Sequence, residues 1–129
     1  MLRGVDAVVV RVPDLKDGLA FYCARLGHPL VWRTADSAGL RLGDTELVLS
    51  TTNGPETDLL VDSVVDACAE FVRVGGTVLV EPEAIPVGRV AVVQDPFGNR
   101  LTLVDLSRGT YLTDADGRVT GIAGPSGPT

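Results

Sequence analysis

One histidine, two cysteines and a surplus of carboxylates are the reactive groups of this chain. A single histidine excludes multi-histidine zinc sites and a two-histidine iron triad within one chain. His28 precedes Pro29 and reads as a turn residue at a helix end rather than a catalytic base. Cys23 and Cys68 fall in predicted helices, where small thiols pack as apolar groups and a nucleophile would need an activating partner. Asp114-Ala115-Asp116-Gly117 resembles part of a calcium loop, lacks the later ligands, and reads as a turn. No Ser-His-Asp signature, phosphate-binding loop or dinucleotide glycine pattern is present. Glu56 is the candidate base: a desolvated carboxylate at the start of a strand can be tuned for proton transfer.

The bulk composition narrows the partners. With 129 residues, 45% apolar and 22% charged, the chain is expected to be one soluble globular domain. No apolar run reaches the ~20 residues of a membrane span. Met1 to Asp6 carries no signal-peptide pattern, so a cytoplasmic location with free thiols is expected. A net charge of −6 argues against nucleic acid and suits a cationic small molecule.

The elements that position these groups follow from periodicity. Val5 to Val12 alternates as a strand, with Val8, Val10 and Val12 on one face and Ala7, Val9 and Arg11 on the other. Asp14 caps a helix whose Leu15, Leu19, Tyr22 and Leu26 share a face, and Gly27 ends it. Strands are expected at 30–34, 38–42 and 45–51, with Leu47 and Leu49 alternating against Glu46, Val48 and Ser50. Asn53-Gly54-Pro55 breaks the pattern, which then restarts. Glu56 to Val61 is a strand, Asp62 or Ser63 caps a helix through Val72, and strands follow at 77–80, 89–94 and up to Leu106. Pro82 and Pro86 bracket a loop between the first two of these. Beyond Ser107 the chain is polar, and a hairpin turn at Asp116-Gly117 and a flexible run from Gly124 to Pro128 are expected.

The order is β-α-β-β-β, twice. Val12 matches Val61, Leu15 matches Val64, Tyr22 matches Phe71 and Gly27 matches Gly76, each pair 49 positions apart. A repeat of that length implies two similar supersecondary units.

Val12-Pro13-Asp14-Leu15, Ala20-Phe21-Tyr22 and Leu26-Gly27 in the first half, with Val61-Asp62-Ser63-Val64, Gly75-Gly76 and Asp95-Pro96-Phe97-Gly98-Asn99 in the second, carry a family resemblance. In this order and spacing the chain resembles the vicinal oxygen chelate superfamily of glyoxalase I, extradiol dioxygenases and the fosfomycin- and bleomycin-resistance proteins. The resemblance implies an α+β fold, two βαβββ units forming a curved mixed sheet, or cup, with helices outside. It implies one glyoxalase-like domain over 1–106, with units of about 4–52 and 55–106, a C-terminal extension over 107–129, and a homodimer.

In metal-dependent members, four inward positions hold a divalent cation that binds vicinal substrate oxygens. Carried over by motif, those positions are Ala7, Leu47, Glu56 and Thr102. Alanine and leucine have no donor and a threonine hydroxyl is a poor ligand, so no metal or other cofactor is expected. Asp6 and Glu46 are one residue away and are expected on the opposite face. Strand parity places Ala7, Val9, Arg11, Leu47, Glu56, Asp58, Arg89 and Thr102 in or near the cup as ligand-binding residues, with Arg11, Arg89 or a cationic ligand as partner for Glu56. Trp32 and Tyr111 are candidates for stacking on a planar ligand. The leading expectation is a metal-independent small-molecule binding protein of the drug-sequestering kind, resembling the bleomycin-resistance branch. A metal-dependent glyoxalase or dioxygenase and a metal-free isomerase using Glu56 stand as alternatives.

Overall fold

Val8, Val10 and Val12 alternating with Ala7 and Val9 make a strand apolar on both faces, as a buried strand with a parallel neighbour requires. In the structure, a computed structural model that describes residues 1–124, this strand is β1, Gly4–Arg11. Helix α1, Leu15–Leu19, starts at Asp14, whose carboxylate accepts the Asp17 N–H at 2.7 Å. A π-helical segment, Ala20–Arg25, continues it. Then come β2 (Leu30–Arg33), β3 (Ser37–Leu42) and β4 (Thr45–Ser50). The pattern repeats as β5 (Glu56–Leu60), α2 (Val64–Arg73), β6 (Thr77–Ile85), β7 (Gly88–Gln94) and β8 (Arg100–Asp105). Ser63, rather than Asp62, caps α2 by accepting the Asp66 N–H at 3.2 Å. Strands β9 (Thr110–Thr113) and β10 (Val119–Ala123) end the described chain. The fold is α+β, with the β-α-β-β-β order expected twice.

Two compact units are distinguished. The first joins residues 6–57 to 111–121. In it β1 runs parallel to β4, β4 antiparallel to β3, and β3 antiparallel to β2. One face of these strands turns Val8, Val10, Leu40, Leu47 and Leu49 toward Leu15, Leu19, Tyr22 and Cys23 of the helical segment. Leu40 and Leu49 are fully buried, which stabilises by about 2 kcal/mol each.

The second unit comprises residues 1–5, 58–110 and the chain from Ile122. Here β5 is parallel to β8, β8 antiparallel to β7, and β7 antiparallel to β6. Val64, Ala67, Cys68 and Phe71 of α2 pack on Leu59, Ala91, Val93, Leu101 and Leu103. Asp105, 2% exposed, joins strand to helix: its carboxylate accepts the Val64 N–H at 2.8 Å, the Arg89 N–H at 3.0 Å, and the Ser107 hydroxyl at 2.7 Å.

Three local expectations change. The first helix is not α-helical throughout: beyond Leu19 it widens into the π segment, and Leu26, expected on the apolar face, is 54% exposed. A wider turn moves later residues off the 3.6-residue stripe. The loop expected at Pro82 is part of β6, which runs to Ile85 with irregular register between Val80 and Glu83. Pro82 is tolerated because that irregularity removes it from the ladder of an edge strand. The polar tail is also ordered as β9 and β10 around the expected turn: Asp114 Oδ1 accepts the Asp116 and Arg118 N–H groups, and Gly117 has φ +81°. The flexible run expected up to Pro128 lies, from 125 on, outside the described residues.

Candidate functional site

Strand register decides which residues of the first unit share its helix-free face. Ala7 pairs with Glu46 and Val9 with Val48 across β1 and β4. Arg41 pairs with Glu46 and Gly39 with Val48 across β3 and β4, and Trp32 pairs with Gly39. Paired residues stand on the same face, so Trp32, Gly39, Val48 and Val9 form one row. Arg41, Glu46 and Ala7 form the next.

These rows meet in a polar contact. The Trp32 indole N–H donates to Glu46 Oε2 at 3.0 Å. Tyr111, delivered by β9, sets its ring 4.9 Å from that of Trp32 at 53°. Gly39 makes room for the indole, since a Cβ there would lie 2.0 Å from Trp32 Nε1. Burial pushes the Glu46 carboxyl above the usual glutamate range; the Trp32 hydrogen bond and Arg41 oppose this, and Asp6 adds to it. Burial, and then the Glu46 charge, push the Tyr111 phenol up. The result is an aromatic pair beside a half-buried carboxylate that ionises reluctantly. Such a group can hold a cation or carry a proton.

The predicted site residues distribute as follows. Ala7 and Val9 are buried on this face, and Arg11 is exposed at its end. Leu47 is a correction. It pairs with Val8 and lies in the core under α1, and Glu46, which was expected to face away, stands beside Ala7. Aligning the Gly43 turn with the Gly98 turn puts Leu47 at the position of Thr102, and the backbone bonds place that alignment one residue out. The bond from Val12 N–H to the Ser50 carbonyl recurs as Val61 N–H to the Val104 carbonyl, so β4 maps onto β8 with an offset of 54 and Thr102 corresponds to Val48. The apolar alternation of Leu47 and Leu49 with Val8 and Val10 was the signal that could have found Glu46.

In the second unit Asp58 pairs with Thr102, and Thr102 with Val92. Arg89 is a second correction: it shares its face of β7 with Ala91 and Val93, which pack on α2. Glu56 is half-buried at the first position of β5, on the same strand face as Asp58. The ion pairs among the described residues are Arg3–Asp62 and Arg73–Glu70, so neither Arg11 nor Arg89 is the salt-bridge partner expected for Glu56.

The remaining reactive groups are structural. His28 Nδ1 donates to the Arg41 carbonyl at 3.1 Å. Both cysteines are free, and burial pushes their thiols up, away from the thiolate. Corrected for register, the positions implied for a metal read Ala7, Val48, Glu56 and Thr102. Two of them, Ala7 and Val48, have no donor, Thr102 offers a hydroxyl, and Glu56 alone carries a carboxylate. No group of three or more His, Cys, Asp or Glu among the described residues is placed to hold a metal ion. This donor set does not fit the divalent cation of the metal-dependent members.

Residues 7–104 match the model of the glyoxalase-like domain, so the chain belongs to that family, within the vicinal oxygen chelate superfamily. The fold is shared with methylmalonyl-CoA epimerase from Mycobacterium tuberculosis, at 19% identity over 81% of this chain and 88% of that one, TM-score 0.64. A Streptomyces coelicolor methylmalonyl-CoA epimerase variant in complex with 2-nitronate-propionyl-CoA matches at 20% identity over 81% and 98% of the two chains, TM-score 0.67. A hypothetical protein from Bacillus halodurans matches at 18% identity over 78% and 92%, TM-score 0.65. No curated protein matches significantly. Among the described residues no helix is long and apolar enough to cross a membrane.

Proposed function

We propose that this chain is a metal-independent small-molecule binding protein, of the drug-sequestering kind found in the bleomycin-resistance branch of its superfamily. One observation carries the reading: the Trp32–Tyr111 pair closes on a half-buried Glu46 that accepts the indole N–H. A planar cation would lie against the Tyr111 ring, backed by Trp32, with Glu46 as its counter-charge. The acidic balance of the chain favours such a ligand. Ala7 and Val9 supply apolar wall on the same face, and Arg11, at the end of β1, is proposed as a further ligand contact. A cytoplasmic homodimer completes the proposal, its stoichiometry measurable by light scattering.

Trp32 is the chain's one tryptophan, so its emission reports on this face directly. Acriflavine, a planar aromatic cation, should quench it and raise the melting temperature, and neutral acridone should do neither. No thermal shift at high acriflavine excess would sink the reading.

A second reading is a metal-free isomerase. It is favoured by the raised pKa of Glu46 and by the fold shared with methylmalonyl-CoA epimerases. Glu46 or Glu56 would then move a proton at carbon. Exchange of the α-proton of methylmalonyl-CoA in deuterated water tests it: exchange abolished in Glu46→Gln or Glu56→Gln identifies the base, and no exchange in the parent protein rejects it.

A further inference from the structure

On the opposite side of the first unit, β10 and the end of β2 meet the start of α1 around a cleft of about 670 Å³. That size falls in the range of small-molecule sites. Lys16, Arg33 and Arg118 line it, together with Leu15, Leu19 and Val119.

Backbone bonding forces two of the cations together. The Arg33 N–H donates to the Gly117 carbonyl at 2.8 Å, and Arg33 and Arg118 pair as a parallel bridge. The nearby turn carboxylate, Asp114 Oδ1, is occupied by backbone N–H groups of Asp116 and Arg118. None of the three cations belongs to a described ion pair. Three like charges at one cleft in a chain of net charge −6 repel one another unless an anion sits between them. Guanidinium pairs match the oxygens of phosphate in a bidentate manner, and a lysine adds a third donor group. The leucine and valine side chains give the same cleft an apolar floor.

We propose that this cleft is a binding site for an amphipathic phosphate monoester. Its phosphate is held by Arg33, Arg118 and Lys16, and its apolar portion lies against Leu15, Leu19 and Val119. The site uses none of the residues of the Trp32–Glu46 face and stands independently of the function proposed there.

Hexyl phosphate, inorganic phosphate and neutral hexyl glucoside, titrated into the full chain by calorimetry, test it. Hexyl phosphate should bind most tightly, and its affinity should fall with added salt. Arg118→Gln, whose exposed side chain can change without loss of the turn's backbone bonds, should weaken it about tenfold. Arg33→Gln should do the same, and Arg100→Gln, outside the cleft, should not. Methyl signals of Leu15, Leu19 and Val119 should shift with hexyl phosphate. Hexyl phosphate binding no tighter than hexyl glucoside, equal binding of inorganic phosphate, or full affinity in both cleft variants would each overturn the proposal.

Discussion

Gly39 and Trp32 are complementary in shape: the missing side chain of one is the space filled by the indole of the other, with only 2.0 Å between a notional Gly39 Cβ and Trp32 Nε1. Gly39→Ala therefore has to displace the indole from both Glu46 and Tyr111. A destabilisation of about 1–3 kcal/mol is expected from overpacking. Chemical denaturation measures it, and a red-shifted tryptophan emission shows that the ring has moved. Unchanged emission would mean that the strand, not the indole, yields.

The Glu46 carboxyl titrates above the ordinary glutamate range because burial disfavours its charge. The folded form holds this proton more tightly than the unfolded chain does. The linked stability is thus complete below the unfolded value and is lost as pH rises through the folded one. Glu46→Gln should flatten that loss in pH-dependent unfolding. Acriflavine affinity should rise over the same window in the parent protein and not in the variant.

Asp105 behaves in the opposite sense. Burial pushes its carboxyl up, but the Ser107 hydroxyl and the N–H groups of Val64, Ser107 and Arg89 more than offset this and leave it below the usual aspartate range. Its contribution is present above the unfolded value and disappears as pH falls through the folded one. Asp105→Ala leaves buried N–H groups without their acceptor and should cost about 3 kcal/mol, measured by thermal or urea unfolding near neutral pH.

Elemental analysis of purified protein should find far less than one zinc, nickel, manganese or iron per chain, and added metal should not raise the melting temperature. A stoichiometric transition metal retained through dialysis would overturn the reading of the donor set.

Much of this fold is legible in the sequence. The alternation of Val8, Val10 and Val12, the cap at Asp14 and the Asp95–Asn99 turn placed the repeat and its helices, because each is a local signal. Register was harder. Glu46 and Leu47 are neighbours in sequence, and only the pairing of β1 with β4 decides which of them stands beside Ala7. A turn-based match one residue out reversed the answer, because side chains alternate with period two. The Arg33–Arg118 bridge joins residues far apart in the chain through backbone bonds, and no local pattern announces it.

Tyr111, Arg118 and Val119 all lie beyond residue 104, where the match to the family model ends. Two proposed recognition surfaces therefore draw part of their side chains from outside the family domain. Replacing the β9–β10 hairpin would alter both surfaces at once while the repeated core, with its capped helices and buried leucines, is left alone.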